Sequence, residues 1–229
     1  MPRNIYQLRN AFVNFYLIEW DNDLVLIDGG FIAGIYKLKQ QLKSINKTFT
    51  DINHILLTHG HLDHTANITR IKELSDAPVV GHPKDKAHIA GNYPYTGSAR
   101  VCGALEAIGR TLINYKPFAL DLEVCDNKRL EIAGGMRVIH LPGHTTGHCG
   151  YYHEPTGILF SGDFFQCSPL RDGVAPFFLN SCPENFPSSI EKIIQLNPKG
   201  IYSNHCDESS PKKQFERFSR FVSRLPNKK

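Results

Sequence analysis

A mixed α/β protein, with helices laid over sheet, is the fold class this sequence predicts, on three observations. Short apolar or alternating runs come in pairs and alternate with stretches of helical periodicity. No repeat, low-complexity tract or Gly/Ser-rich linker divides the 229 residues, so one domain over 1–229 with a substantial core is expected. His59, Asp163 and His205 each fall at or just beyond the C-terminal end of a predicted strand, where α/β folds tend to build sites.

Taken in order, residues 14–20 and 24–28 read as two strands joined by Asp21-Asn22-Asp23, with Gly29 and Gly30 ending the second. Residues 35–45 carry Ile35, Leu38, Leu42 and Ile45 at helical spacing. Residues 52–58 form a short apolar strand running into Thr58-His59-Gly60-His61. Residues 65–74 read as a helix with Ile68, Ile71 and Leu74 on one face, and 78–81 as a strand. A Gly- and Tyr-rich stretch follows, in which the pattern weakens until Leu130. Strands are then expected at 136–141, 150–153, 157–160 and 200–203, and helices at 188–196 and 211–225. The last helix has Phe215, Phe218, Val222 and Leu225 on one face, a core stripe with its basic residues on a solvated side.

Composition narrows the function classes. With 41% hydrophobic and 21% charged residues the chain is an ordinary globular protein. Its 26 basic and 22 acidic residues leave +4, too little to argue for nucleic acid, and the only dense basic stretch is 212–229. Residues 1–10 hold no apolar run of signal-peptide length and no stretch approaches a membrane span, so a cytoplasmic protein with no membrane partner is expected. Six cysteines stand singly, without a CxxC pair, and free thiols are expected in that compartment.

The strongest chemical signal is His59-Gly60-His61-Leu62-Asp63-His64. In extended chain, residues two apart point the same way, so His59 and His61 can grip one ion. As the chain turns into a helix, Asp63 and His64 project to another side and can take a second. Imidazole and carboxylate suit zinc, iron or manganese. Further candidates are His144 in a Pro-Gly turn after a strand, Asp163 at the end of an apolar run, and His205 after the strand 200–203. His54 and His140 read as core residues, and His82, His88 and His153 as surface or loop residues. His148, four residues after His144, reads first as structural and second as a support for the site. Cys206 reads as a buried structural thiol before a soft ligand.

With these motifs in hand, the chain resembles the metallo-β-lactamase superfamily over Asp28 to His205. The early strand-end aspartate matches Asp28, the HxHxDH signature His59 to His64, the Pro-Gly-His turn His144, the Ser-Gly-Asp Asp163, and the last histidine His205. That histidine departs from the family pattern, standing in Asn204-His205-Cys206-Asp207 without the frequent flanking glycine. The resemblance implies a four-layer αββα sandwich of two mixed sheets flanked by helices, with the site between the sheet edges. It implies that His59, His61 and His144 hold one metal and Asp63, His64 and His205 the other, with Asp163 bridging and Asp28 orienting the cluster through hydrogen bonds.

Two divalent ions, zinc first and iron or manganese otherwise, about 3.5–4 Å apart, would bring a shared water near neutrality, so a bridging hydroxide is the expected nucleophile. Asp63 is the expected proton shuttle. Neither a GxSxG elbow nor a P-loop offers a rival chemistry. True β-lactamases of the family usually replace the fourth signature residue or the bridging aspartate. This chain keeps His64 and Asp163, and resembles the glyoxalase II and lactonase branch. Only 24 residues follow His205, too few for glyoxalase II's helical glutathione domain. A small ester, thioester or lactone is the expected substrate. The alternatives are a nuclease or phosphodiesterase of the same fold, which would need a basic platform, a sulfur dioxygenase with a single iron, and a binding module with an inert site. The 91–115 and 164–178 loops, rich in aromatics, read equally as an apolar acyl pocket and as loop packing or a homodimer contact. Arg171 reads equally as a partner for a substrate carboxylate and as one half of an exposed salt bridge.

Overall fold

The computed structural model describes residues 3–10, 12–167 and 172–226. The first half of the chain builds a six-stranded sheet in sequence order: β1 (Arg3–Asn10), β2 (Val13–Trp20), β3 (Asp23–Ile27), β4 (His54–Leu56), β5 (Val79–Gly81) and β6 (Leu122–Glu123). β1 to β3 pair antiparallel, and β3 to β6 parallel. The parallel steps need crossovers, supplied by α1 (Gly34–Ser44), then by α2 (Leu62–Thr65) with α3 (Ile68–Ser75), then by α4 (Lys86–Ile89) with α5 (Arg100–Leu112). The second half supplies β7 (Arg129–Leu130), β8 (Met136–His140), β9 (Cys149–His153), β10 (Ile158–Gly162), the small hairpin β11 (Gln166–Cys167) with β12 (Asp172–Gly173), α6 (Phe186–Leu196), β13 (Gly200–Ser203) and α7 (Pro211–Ser223). Its main sheet has the order β13-β10-β9-β8-β7, with β13 parallel to β10 and the others antiparallel.

Side-chain alternation sorts these strands into layers. Phe15, Leu17, Leu24, Leu26 and Ile55 face one way and pack with Leu38 and Leu42 of α1 and Ile68 and Ile71 of α3. Their neighbours Tyr16, Ile18, Val25, Ile27 and Leu56 face the other way and meet Met136, Val138, Tyr151 and Phe160 of the second sheet. The far face of that sheet, through Ile139, Leu159 and Ile201, packs on Ile190 and Ile193 of α6 and Phe218 of α7. A strand buried on both faces must be apolar at successive positions, which is why β2 to β5 read as runs. The order helix, sheet, sheet, helix is the expected αββα sandwich. No helix among the described residues is long and apolar enough to cross a membrane.

Several local expectations are corrected. The helix expected at 65–74 is two, α2 and α3, because the signature segment turns helical as early as Leu62. α5 lies inside the stretch where no element was expected, and Gly103 and Gly109 hide it. A Cβ on Gly103 would stand 2.5 Å from the Tyr95 ring, and one on Gly109 2.7 Å from Leu62, so close packing dictates both glycines. Cys167 and Cys206, expected as free thiols, form a disulfide. The Cys167 N–H donates to the His205 carbonyl at 2.9 Å, and that backbone contact holds the two cysteines side by side. Cys102, Cys125, Cys149 and Cys182 are free. His82, His88 and His153, expected at the surface, are buried. His82 stacks on His140, His88 on Tyr93, and His153 meets the Trp20 ring edge-on with an Nε2–H bond to Ala133. His54 and His140, expected in the core, are only half-buried.

Candidate metal centre

The seven residues picked out in the sequence come together where the two sheets meet. Each gets there by a local device. His59 and His61 leave β4 in extended chain, and Asp63 and His64 sit on the single turn of α2. His144 rides the turn after β8, whose Gly143 has φ 152° and packs beneath the Phe186 ring. Asp163 follows Gly162 (φ 56°) and a register shift between β10 and β13. A Cβ on Gly162 would lie 2.7 Å from His148 Nε2 and 2.9 Å from Thr58, so only glycine lets the strand re-aim Asp163 here. His205 leaves β13 with its ring stacked on Phe12.

Two groups of ligand-type atoms result, each with its members within 4.8 Å of one another: His59, His61, His144; and Asp63, His64, Asp163, His205. Asp163 stands at the junction. One of its oxygens is 3.2 Å from His64 Nε2, and the other is 3.0 Å from His205 Nε2 and 3.5 Å from His144 Nε2. Asp63 lies 3.2 Å from His205 Nε2 and is a quarter exposed to the cavity in front.

The residues fit metal ions. Nε2 of His59, His61 and His144 is buried with no hydrogen-bond partner among the described residues, and that of His64 faces the Asp163 carboxylate. Leaving three such atoms unsatisfied in one spot would be expensive. Meanwhile the opposite ring nitrogens of His59, His64, His144 and His205 are tied down. His144 Nδ1–H donates to Asn180 Oδ1, His205 Nδ1–H to the Phe12 carbonyl, and His64 Nδ1–H to Asp28, each at 3.0 Å. Thr58 donates its hydroxyl to Asp28 at 2.6 Å and so accepts from His59 Nδ1–H at 3.0 Å. Every such bond fixes the tautomer that turns an Nε2 lone pair to the centre, the arrangement metal-ligating histidines need. Asp28, in left-handed backbone (φ 60°), also takes the Thr58 N–H at 2.8 Å and Asn204 Nδ2–H at 2.7 Å. His148, read first as structural, accepts the backbone N–H of Asp163 at 3.1 Å and so holds that residue's backbone in place.

Burial pushes His61 and His144 down to about 4 and His59 well below 6.5, leaving neutral imidazoles. Burial acts on His64 and His205 too, but facing carboxylates outweigh it. Asp163 and Asp63 raise His64 well above 6.5 and His205 to about 10. In return Asp63, despite burial, is drawn down to about 2 by His64 and His205. The stripped protein therefore has two opposed pH limbs. His61, His144 and His88 (held near 2 by burial) take up protons near 6.5 only when unfolded, so stability rises with pH up to about 6.5. Asp85, raised by burial to about 6, works the other way below that pH, one carboxyl against several imidazoles. His64 and His205 stabilise below 6.5, and that contribution is lost as pH rises toward 10. Denaturant titrations from pH 4 to 10 are expected to show a maximum near 6.5 for chelator-treated protein. Divalent ions should abolish the alkaline loss, and an unchanged alkaline limb would contradict ligation by His64 and His205.

A cavity of about 410 Å³ opens onto the centre. One wall is His61, Asp63, His144, Asp163 and His205, and the rest includes Phe12, Phe31, Leu62, Leu105, Pro176 and Leu179. Of the two loops expected to shape a pocket, 91–115 contributes Cys102, Leu105, Glu106 and Gly109 through α5, and 164–178 contributes Gln166 and Pro176. Phe164 and Phe165 are instead wholly buried against Phe186 and Phe218. Arg171 lies outside the described residues. Phe12 and Phe31 carry no sequence signal for a site and reach it from the turn before β2 and from the loop after β3.

Residues 8–201 match the family model described as the metallo-beta-lactamase superfamily. The chain belongs to that superfamily. Among similar proteins is the "probable metallo-hydrolase YqjP" of Bacillus subtilis, 24% identical over 83% of this chain and 66% of that protein. A hydroxyacylglutathione hydrolase of Pseudomonas paraeruginosa is 32% identical over 53% of this chain and 38% of its own length. The chain thus spans less than two thirds of either relative. A similar structure of nearly equal length, TTHA1623, was solved in a di-iron-bound form. It has a TM-score of 0.68 at 24% identity, covering 92% of this chain and 96% of that one.

Proposed function

We propose that this superfamily member is a two-metal hydrolase of small, uncharged esters, thioesters or lactones with an apolar acyl part. One observation carries the reading: members of both ligand groups form one wall of a cavity whose remaining walls are largely apolar and hold no Lys or Arg among the described residues. A nuclease or phosphodiesterase would need cations where the phosphate sits. A single-iron dioxygenase would leave one ligand group without a purpose. The likeness to a hydroxyacylglutathione hydrolase supports thioester chemistry, and the di-iron form of TTHA1623 supports a paired site. Zinc is the proposed metal, and the same imidazole-rich set accepts iron or manganese.

When bound, the two ions would supply an activated water and electrophilic stabilisation of a developing oxyanion. The chain's own residues do the rest. Thr58, Asp28, Asn180 and the Phe12 carbonyl lock the histidine tautomers. Leu105, Phe12 and Phe31 bury the acyl part and exclude water from it. Asp63, whose carboxylate reaches the cavity, is placed to carry a proton to the leaving alkoxide or thiolate.

Leu105→Ser tests the acyl wall, since Leu105 is 58% exposed and its loss costs the fold little. Burial of a leucine-sized contact is worth about 1.5–3 kcal/mol, so kcat/KM for long-acyl thioesters should fall about tenfold to a hundredfold. An acetyl thioester should be unaffected. Cleavage of a phosphodiester with no turnover of any acyl substrate would overturn the reading.

A further inference from the structure

Asp85 takes no part in the ligand set, yet its carboxylate joins the two loops that supply His59, His61 and His144. It ends a short turn after β5 and is 2% exposed. One oxygen accepts the Gly60 N–H at 2.9 Å and the Thr145 hydroxyl at 2.7 Å, and the other accepts the Gly147 N–H at 2.7 Å. Gly60 stands between two ligands, and Thr145 follows the third. The loops approach this segment as closely as glycine allows. A Cβ on Gly147 would lie 2.7 Å from Asp85 N and Oδ1, and one on Gly60 2.5 Å from His88 Cβ and 3.1 Å from the Asp85 carbonyl.

The arrangement parallels that of Asp28 across the centre. Asp28 binds His64 directly and reaches the His205 loop through Asn204, so it serves chiefly the second ligand group, touching the first only through the Thr58 hydroxyl that meets His59. The group His59, His61, His144 contains no carboxylate of its own. Asp85 is a buried carboxylate on its side that lies outside both ligand groups, and its hydrogen-bond partners among the described residues are the neutral donors of Gly60, Thr145 and Gly147. A buried anion held only by neutral donors is costly, and a divalent ion on the adjoining imidazoles would offset that cost.

We infer that Asp85 is the positioning residue of the His59, His61, His144 site, setting the spacing of its two loops and balancing the charge of the ion they hold. The inference rests on the two-site reading above. Its test is titration of stripped protein with Co²⁺, read by chelator competition and by the visible spectrum, on wild type, Asp85→Asn and Thr145→Val. His61→Ala and His205→Ala mark the spectra of proteins lacking one site or the other. Wild type should bind two ions. Asp85→Asn should lose affinity for one of them by about tenfold to a hundredfold, the range for partners that orient ligands. Its half-loaded spectrum should match that of His61→Ala. Thr145→Val, which removes one bond and keeps the charge, should shift the same step by a smaller factor. Two ions bound by Asp85→Asn with wild-type affinity, or a spectrum matching His205→Ala, would overturn the role of Asp85 alone. Fewer than two ions on wild type would overturn the two-site reading and this inference with it.

Discussion

Replacing Asp163 with alanine is expected to cut the proposed thioester hydrolysis by roughly a thousandfold or more, while the chain still folds. Asp163 touches both ligand groups, through His64 and His205 on one side and His144 on the other. Without it the second group keeps three ligands and the first keeps three imidazoles, but nothing ties the two. Charge stabilisation by a metal pair is worth several kcal/mol, and each 1.36 kcal/mol is a factor of ten in rate. The backbone at this point is held by the His148 bond and by Gly162, neither of which uses the carboxylate, so the variant should keep its secondary structure. Steady-state kinetics with circular dichroism checks both parts. Activity within tenfold of wild type would remove Asp163 from the centre.

Asp28→Ala is expected to produce the largest loss of stability. Four donors converge on this wholly buried carboxylate: the Thr58 N–H and hydroxyl, His64 Nδ1–H and Asn204 Nδ2–H. Alanine leaves all four facing a void. Breaking a buried, hydrogen-bonded charge typically costs about 3–5 kcal/mol. For a chain of this size that corresponds to a drop of about 6–20 °C in Tm. His64 also loses the bond that sets its tautomer, so affinity for the second ion should fall in the same variant. A Tm within a degree or two of wild type would show that Asp28 is not the hub drawn here.

The sequence made the layers legible because burial on both faces leaves near-continuous apolar runs. β2, β3, β4 and β5 were visible for that reason, and α1 and α6 through their periodic stripes. β1 was not, since an edge strand that is mostly half-buried or exposed needs few apolar residues. α5 had a usable signal in Val101, Leu105, Ile108 and Leu112, but that stripe faces outward, all four residues being more than half exposed. Its inner face instead presents Cys102, Glu106 and Gly109, so glycine and a buried carboxylate stand where a periodicity argument looks for apolar residues.

The same contrast holds at the site. The seven ligand-type residues were readable because their chemistry concentrates in short motifs. Asp85, in Pro83-Lys84-Asp85-Lys86, looks like any solvated turn, and only the folded chain shows Gly60, Thr145 and Gly147 gathered on it. Tyr95 and Glu106 are similar: Glu106 accepts the Leu62 N–H and the Tyr95 hydroxyl, both at 2.7 Å, and so braces the signature loop from α5. Such supports are spread singly along the chain, with no spacing to betray them.

The paired centre is tested most directly by elemental analysis of protein purified without added metal or chelator. About two divalent ions per chain is the predicted result. One ion or none would contradict the two-site account and the hydrolytic mechanism built on it.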